Sequence, residues 1–342
     1  MEALKKEIEF YSLKLKHNRI STIFIGGGTP SFLREEYISE LLKTVISNYN
    51  CKENMEVTIE SNPGTLSYSK LCSYKEYGIN RLSIGLQTWQ DRLLQNMGRI
   101  HNLKEFVQNY NDARKCGFQN INIDIMFGLP SQSMDEFTQT IKNIIKVRPE
   151  HISCYSLIIE EGTKLCEMVN NHLAFPVSDE LDRQMYRYAV DEFKKHGYIH
   201  YEISNFALFE HECRHNLIYW KVCEYLGIGA GAHSYLFDQR FSNEIDPLEY
   251  INRINLSGNA VCEETYIDQY ESIKEYIILG LRLVDGINIS DFEKRYEKNF
   301  FDMYSNNVER LTKKGLLKVS GNNISLTTKG LDLANQVFVE FI

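Results

Sequence analysis

The sequence has 342 residues, a formal charge of −8, 43% hydrophobic residues and 25% charged ones. This is an ordinary globular balance, with room for one large α/β domain and a smaller one, and the acidic charge without any basic tract argues against general nucleic-acid binding. No run approaches the ~18 consecutive apolar residues of a transmembrane helix, and Met1 to His17 alternates lysines with apolar residues and lacks a signal-peptide core, so the expected location is cytoplasmic.

The eight cysteines (Cys51, Cys72, Cys116, Cys154, Cys166, Cys213, Cys223, Cys262) are scattered, with no pair separated by two or three residues. That excludes a local zinc or iron–sulfur knuckle and predicts reduced thiols. After the opening amphipathic helix, Thr22–Ile25 reads as a strand that runs into Gly26-Gly27-Gly28-Thr29-Pro30-Ser31. Glycine lets such a loop turn through positive φ and bares its peptide groups to a ligand, although many glycine runs are only tight turns. Helical spacing follows over Glu35–Tyr49, then strands at Glu56–Glu60 and Arg81–Gly85, helices at Asp91–Met97 and Leu103–Cys116, a strand at Ile121–Met126, a helix at Met134–Val147 and a strand at His151–Leu157. Strands recurring near residues 23, 57, 83, 123 and 153 form a run of βα units, hence a parallel sheet, doubly wound or curled into a full or partial barrel. In either form the ligand site lies at the C-terminal strand ends, where Gly26–Thr29, Glu60, Gln87 and Asp124 each end or directly follow a different strand. A lone carboxylate there is ordinarily solvated or caps the next helix; four such positions around one rim point to a ligand.

From about Asp179 the pattern changes: a long helix over Glu180–Lys195, a short strand at Tyr198–Ile203, then His211-Glu-Cys213-Arg-His215-Asn-Leu-Ile-Tyr219-Trp220 and the glycine-rich Gly227–Tyr235. If extended, His211, Cys213 and His215 share a face; if helical, Tyr219 lies beside His215. Helices at Ser272–Val284, Asn288–Tyr296 and Asp302–Lys314, a hairpin over 316–327 and a closing helix predict a winged-helix-like unit that serves packing rather than DNA binding, since Asp302 and Glu309 fall on its recognition stretch.

Taken together, Ile25-Gly-Gly-Gly-Thr-Pro-Ser31, Glu60-Ser-Asn-Pro, Arg81-Leu-Ser-Ile-Gly-Leu-Gln87, Gly98-Arg99-Ile100-His101 and Asn122-Ile-Asp-Ile-Met-Phe-Gly-Leu-Pro130 resemble the radical S-adenosylmethionine (SAM) family of oxygen-independent coproporphyrinogen dehydrogenase. His215-Asn-Leu-Ile-Tyr-Trp220 and Gly227-Ile-Gly-Ala-Gly-Ala-His-Ser resemble its heme-chaperone branch. The resemblance implies a partial (β/α)6 TIM-like barrel of radical SAM type, its first strand absent, with a C-terminal α+β winged-helix-like domain. The implied domains are residues 1–178 (barrel), 179–264 (linker and heme-binding-type segment) and 265–342 (accessory domain). It also implies that Gly27, Gly28 and Thr29 meet SAM through backbone atoms, that Glu60, Gln87, Arg99 and Asp124 line one or two such molecules, and that His215 is a possible heme iron ligand. A sulfonium bearing an amino acid and a ribose does call for carbonyl acceptors, carboxylates and a cationic partner; by itself, Arg99 reads equally well as half of a surface ion pair.

The family's Cys-x-x-x-Cys-x-x-Cys segment, whose thiolates hold a [4Fe–4S] cluster, has no match here, and the expectation is a truncated chain or a relative without the cluster and its radical chemistry. Three functions follow from the resemblance. The first is a heme chaperone binding heme and SAM, with heme-accepting proteins as partners. The others are a coproporphyrinogen III oxidase when the cluster segment is present, and a non-enzymatic binding module.

Overall fold

The computed structural model describes residues 1–342. Five strands, β1 (Arg19–Ile25), β2 (Asn50–Ser61), β3 (Arg81–Gln87), β4 (Ile121–Phe127) and β5 (His151–Ser156), lie side by side in chain order, with β2 to β5 paired in parallel. β3 is buried at every position, as befits a parallel strand covered on both faces. After the N-terminal α1 (Glu2–Leu15), the strands are linked through α2 (Glu35–Asn48), α3 (Tyr68–Glu76), α4 (Asp91–Asn96), α5 (Leu103–Lys115) and α6 (Met134–Val147). α6 shows how these helices are specified. Ser133 and Glu136 cap its start reciprocally, while Phe137, Ile141 and Ile144 recur at helical spacing and are fully buried.

The short α7 (Lys164–Asn170) and the long α8 (Asp179–Lys195) precede β6 (Ile199–Glu202) and β7 (Asn205–Ala207). β7 pairs antiparallel with β5, so the curled half-barrel has seven strands in the order β1-β2-β3-β4-β5-β7-β6, where the βα repeat alone predicted five. β6 and β7 are four and three residues long, too short for alternation to reveal their pairing.

The chain divides into two compact units, each discontinuous in sequence. One comprises Thr22–Ser39 and Glu56–Cys213 and contains the strand ends of the barrel. Within it, Cys72 on α3 and Cys116 at the end of α5 form a disulfide with Cα atoms 5.2 Å apart. The expectation of reduced thiols throughout is therefore corrected: side-by-side helices join cysteines 44 positions apart, which local spacing cannot show.

The other unit comprises Met1–Ser21, Glu40–Met55 and Arg214–Ile342. It contains α9 (Arg214–Trp220), the antiparallel strands β8 (His233–Leu236), β9 (Gln239–Asn243) and β10 (Val261–Tyr266), and α10 (Pro247–Ser257). Helices α11 (Gln269–Gly280), α12 (Ile289–Tyr296) and α13 (Phe300–Lys313) then build the C-terminal domain with a small sheet of β11 (Ile287–Asn288), β12 (Leu317–Ser320) and β13 (Asn323–Leu326). α1 is anchored in this unit by the buried Glu7. Its carboxylate accepts hydrogen bonds from Asn243 Nδ2 at 2.6 Å, the Gly229 amide at 2.9 Å and the Tyr250 hydroxyl at 2.5 Å. Burial pushes the Glu7 pKa up, and these three donors oppose the shift. No helix is long and apolar enough to cross a membrane.

Candidate functional site

Three strand ends and the loops beyond them enclose a cleft of about 160 Å³. Its first wall is the loop after β1. Gly27 (φ 81°) and Gly28 (φ 55°) adopt left-handed backbone with open space around each, so conformation rather than crowding requires glycine there. Thr29 Oγ1 accepts a hydrogen bond from Asn62 Nδ2 at 3.0 Å, and Lys70 Nζ donates to the Ser31 and Leu33 carbonyls at 2.9 and 3.0 Å. These bonds lace the glycine loop to Asn62, just after β2, and to Lys70 on α3.

Glu60, near the end of β2, turns its carboxylate towards the glycine loop; a Cβ on Gly26 would stand 3.0 Å from Glu60 Oε2. Its pKa is raised, first by burial and then by repulsion from Asp124, while the Gly27 amide hydrogen bond pulls it back. Asp124 on β4 accepts from Asn122 Nδ2 at 2.7 Å and Ser83 Oγ at 3.1 Å. Burial again dominates and raises its pKa, against hydrogen bonding from Ser153, Asn122 and Ser83 and the positive field of Arg81.

On β3, Ser83, Gly85 and Gln87 alternate onto the face that lines the cleft. A register shift between Gly85 and Gln87, with Gln87 at φ 73°, ends the strand in a bulge that re-aims the Gln87 amide. Gly85 is required by a close approach, since a Cβ there would fall 2.9 Å from Gln87 Nε2 and 3.1 Å from Asn62 Oδ1. Tyr155 from β5 donates to Gln87 Oε1 at 3.3 Å. Arg99, after α4, lines the same cleft and takes part in no ion pair with the protein's own carboxylates. Two carboxylates, a glutamine amide, bare loop backbone and an uncommitted guanidinium suit a zwitterionic ligand that also carries hydroxyl donors.

Of the predicted residues, Gly28, Thr29, Glu60, Gln87, Arg99 and Asp124 thus line one cleft, with Gly27 bonded to Glu60 at its edge. Asn62, Ser83, Gly85 and Tyr155 went unmarked in the sequence reading, although the period-two run Ser83, Gly85, Gln87 against Leu82, Ile84, Leu86 carries the signal for two of them.

His215 belongs to the other compact unit and is not among the residues of this cleft. It stands on α9, a helix in which no residue is fully buried. Its Nε2 lies 2.9 Å from the Tyr219 hydroxyl, with the rings edge-on at 5.2 Å, as their spacing of four on a helix requires. Tyr225 packs edge-on against Tyr219 at 4.6 Å, and the Arg282 guanidinium lies 4.5 Å over the Trp220 ring. The shared face drawn for His211, Cys213 and His215 does not form: Cys213 is buried and precedes the helix that His215 enters.

Known proteins resemble the chain along its whole length. Residues 2–144 match the model of the radical SAM superfamily, and residues 267–333 match that of the HemN C-terminal domain. The heme chaperone HemW of Bacillus subtilis is 35% identical over 343 residues, covering 100% of this chain and 90% of the relative. That of Lactococcus lactis is 33% identical, covering 98% of this chain and 87% of the relative. In fold, the chain is similar to the coproporphyrinogen III oxidase HemN of Escherichia coli, a radical SAM enzyme, with a TM-score of 0.85, 22% identity, and coverage of 99% of this chain and 82% of that one.

Proposed function

The chain belongs to the HemW heme chaperone family within the radical SAM superfamily, and we propose on that premise that it binds heme at His215 and S-adenosylmethionine in the strand-end cleft. The observation that carries the first half is a half-buried imidazole, on a helix with no fully buried residue, in a chain 35% identical to a heme chaperone over its full length. Imidazole nitrogen is a common axial ligand of heme iron, and Tyr219 and Trp220 offer aromatic surface beside it. Ligation through Nε2 requires the Tyr219 hydroxyl to give up its hydrogen bond, so Tyr219 gates the ligand atom.

For SAM, the residues present fit the group. Arg99 suits its carboxylate, Glu60 and Asp124 suit its ammonium, sulfonium and ribose hydroxyls, and the amide and carbonyl groups of Gly28 and Thr29 are open to the amino acid end. Burial of Glu60 and Asp124 strengthens their attraction for a cation. In this family SAM bound to a [4Fe–4S] cluster supplies a radical. No group of three or more His, Cys, Asp or Glu in the structure could hold a metal ion, and the cysteine spacing gives no thiolate triplet. The residues of this sequence do not fit the cluster; from the family, the proposed work is carriage of heme to accepting proteins.

The test is a heme titration followed at the Soret band. Wild type should bind with an imidazole-type spectrum and His215→Ala should bind at least tenfold more weakly; equal binding by both would remove the axial-ligand role.

A further inference from the structure

From the cleft, in the same compact unit, runs a chain of hydrogen bonds that all point one way, with its middle members buried. The Cys213 amide donates to the Tyr201 hydroxyl at 3.3 Å, and that hydroxyl lies 2.8 Å from Nε2 of the fully buried His151. His151 Nδ1 lies 2.6 Å from Asn122 Oδ1, and Asn122 Nδ2 donates to Asp124 Oδ1 at 2.7 Å and to Ser83 Oγ at 2.8 Å. Ser83 Oγ in turn donates to Asp124 Oδ2 at 3.1 Å. The directions follow from chemistry. The Asn122 NH2 group sits on the Asp124 carboxyl group, so its Oδ1 faces His151 and takes the Nδ1 proton, which leaves Nε2 to accept the Tyr201 proton. His151 is then the Nδ1–H tautomer and donates to the Asn122 carbonyl, which also accepts from Ser153 Oγ at 3.1 Å. The same bonds hold the Asn122 amide with its NH2 group on Asp124.

We propose that Tyr201 and His151 are positioning residues for the cleft: through Asn122 they fix the orientation of the Asp124 carboxyl group, with its remaining lone pairs turned to the ligand. This rests on the reading that the cleft binds SAM. Reversing the His151 tautomer would flip the Asn122 amide and set its carbonyl oxygen against the Asp124 carboxylate, which is repulsive. The other charged or titratable groups acting on His151 are Arg81 and His211, and both disfavour a second proton on the ring, as does its burial.

Three measurements on the full chain test this. Long-range nitrogen–proton NMR of wild type should show His151 as the neutral Nδ1–H form; the Nε2–H form would overturn the proposal without any variant. In Tyr201→Phe, which removes a single hydroxyl, the ¹³C carboxyl titration of Asp124 (assigned with Asp124→Asn) should move up by about one pH unit, the equivalent of one hydrogen bond. SAM affinity by calorimetry should fall about tenfold while the melting transition stays sharp. An unmoved Asp124 midpoint in a folded variant sinks the proposal. If wild type fails to bind SAM, the reading of the cleft fails, and the tautomer and the Asp124 midpoint still decide the positioning role.

Discussion

His151 is the residue where burial has the clearest consequence. Its pKa is held well below the ordinary 6.5, chiefly because burial penalises the charged ring. The unfolded chain takes up a proton below pH 6.5 that the folded chain refuses, so stability rises with pH in that window and is lost as pH falls through it. Each such proton contributes a slope approaching about 1.4 kcal/mol per pH unit. Glu7, Glu60 and Asp124 act with the opposite sign, since their raised folded pKa values make the folded state the better proton acceptor above the ordinary carboxylate range. The histidine part is isolated by subtracting the pH profile of His151→Gln from that of wild type, both by urea unfolding. The difference should be flat above pH 6.5, and wild type should lose ground to the variant below it; parallel profiles would mean that His151 titrates normally in the folded state.

At the level of elements, the site depends on how β3 ends. Three features act together there: the alternation that turns Ser83, Gly85 and Gln87 to one face, the bulge, and the missing Cβ at Gly85. Gly85→Ala places a methyl 2.9 Å from Gln87 Nε2 and 3.1 Å from Asn62 Oδ1, so the Gln87 amide must shift and the Asn62 amide must give by a few tenths of an ångström. SAM affinity is expected to fall about tenfold with a stability loss of about 1–3 kcal/mol, checked by calorimetry and urea unfolding; unchanged affinity would show that the bulge does not shape the site. The parallel strands, their helices and the rim residues were legible in the sequence because each rests on a local pattern: an apolar run, a helical period or a loop glycine. Of the β6–β7 hairpin, β6 falls within the strand expected at Tyr198–Ile203, but β7 and its pairing with β5 were not legible, because a three-residue strand carries no usable period. The β8–β9–β10 sheet also escaped, with its polar outer strand Val261–Tyr266 offering no apolar run.

For the whole molecule, the division into units rests on contacts that no local pattern encodes. Asn243 reaches Glu7 across 236 positions, and that bond with its neighbours assigns the N-terminal helix to the unit that contains His215. The Cys72–Cys116 bridge was hidden for the same reason, whereas the His215–Tyr219 pairing, only four residues apart, could be read as soon as the segment was taken as a helix. The proposal gives one chain two separate ligand sites, heme at His215 and SAM at the strand ends. The most direct measurement titrates heme and SAM separately into wild type, His215→Ala and Asp124→Asn. His215→Ala is expected to lose heme and keep SAM, and Asp124→Asn to keep heme and bind SAM about 10- to 100-fold more weakly, the range for removing one charged hydrogen-bond partner. Loss of both ligands in either folded variant, or of neither in both, would contradict it.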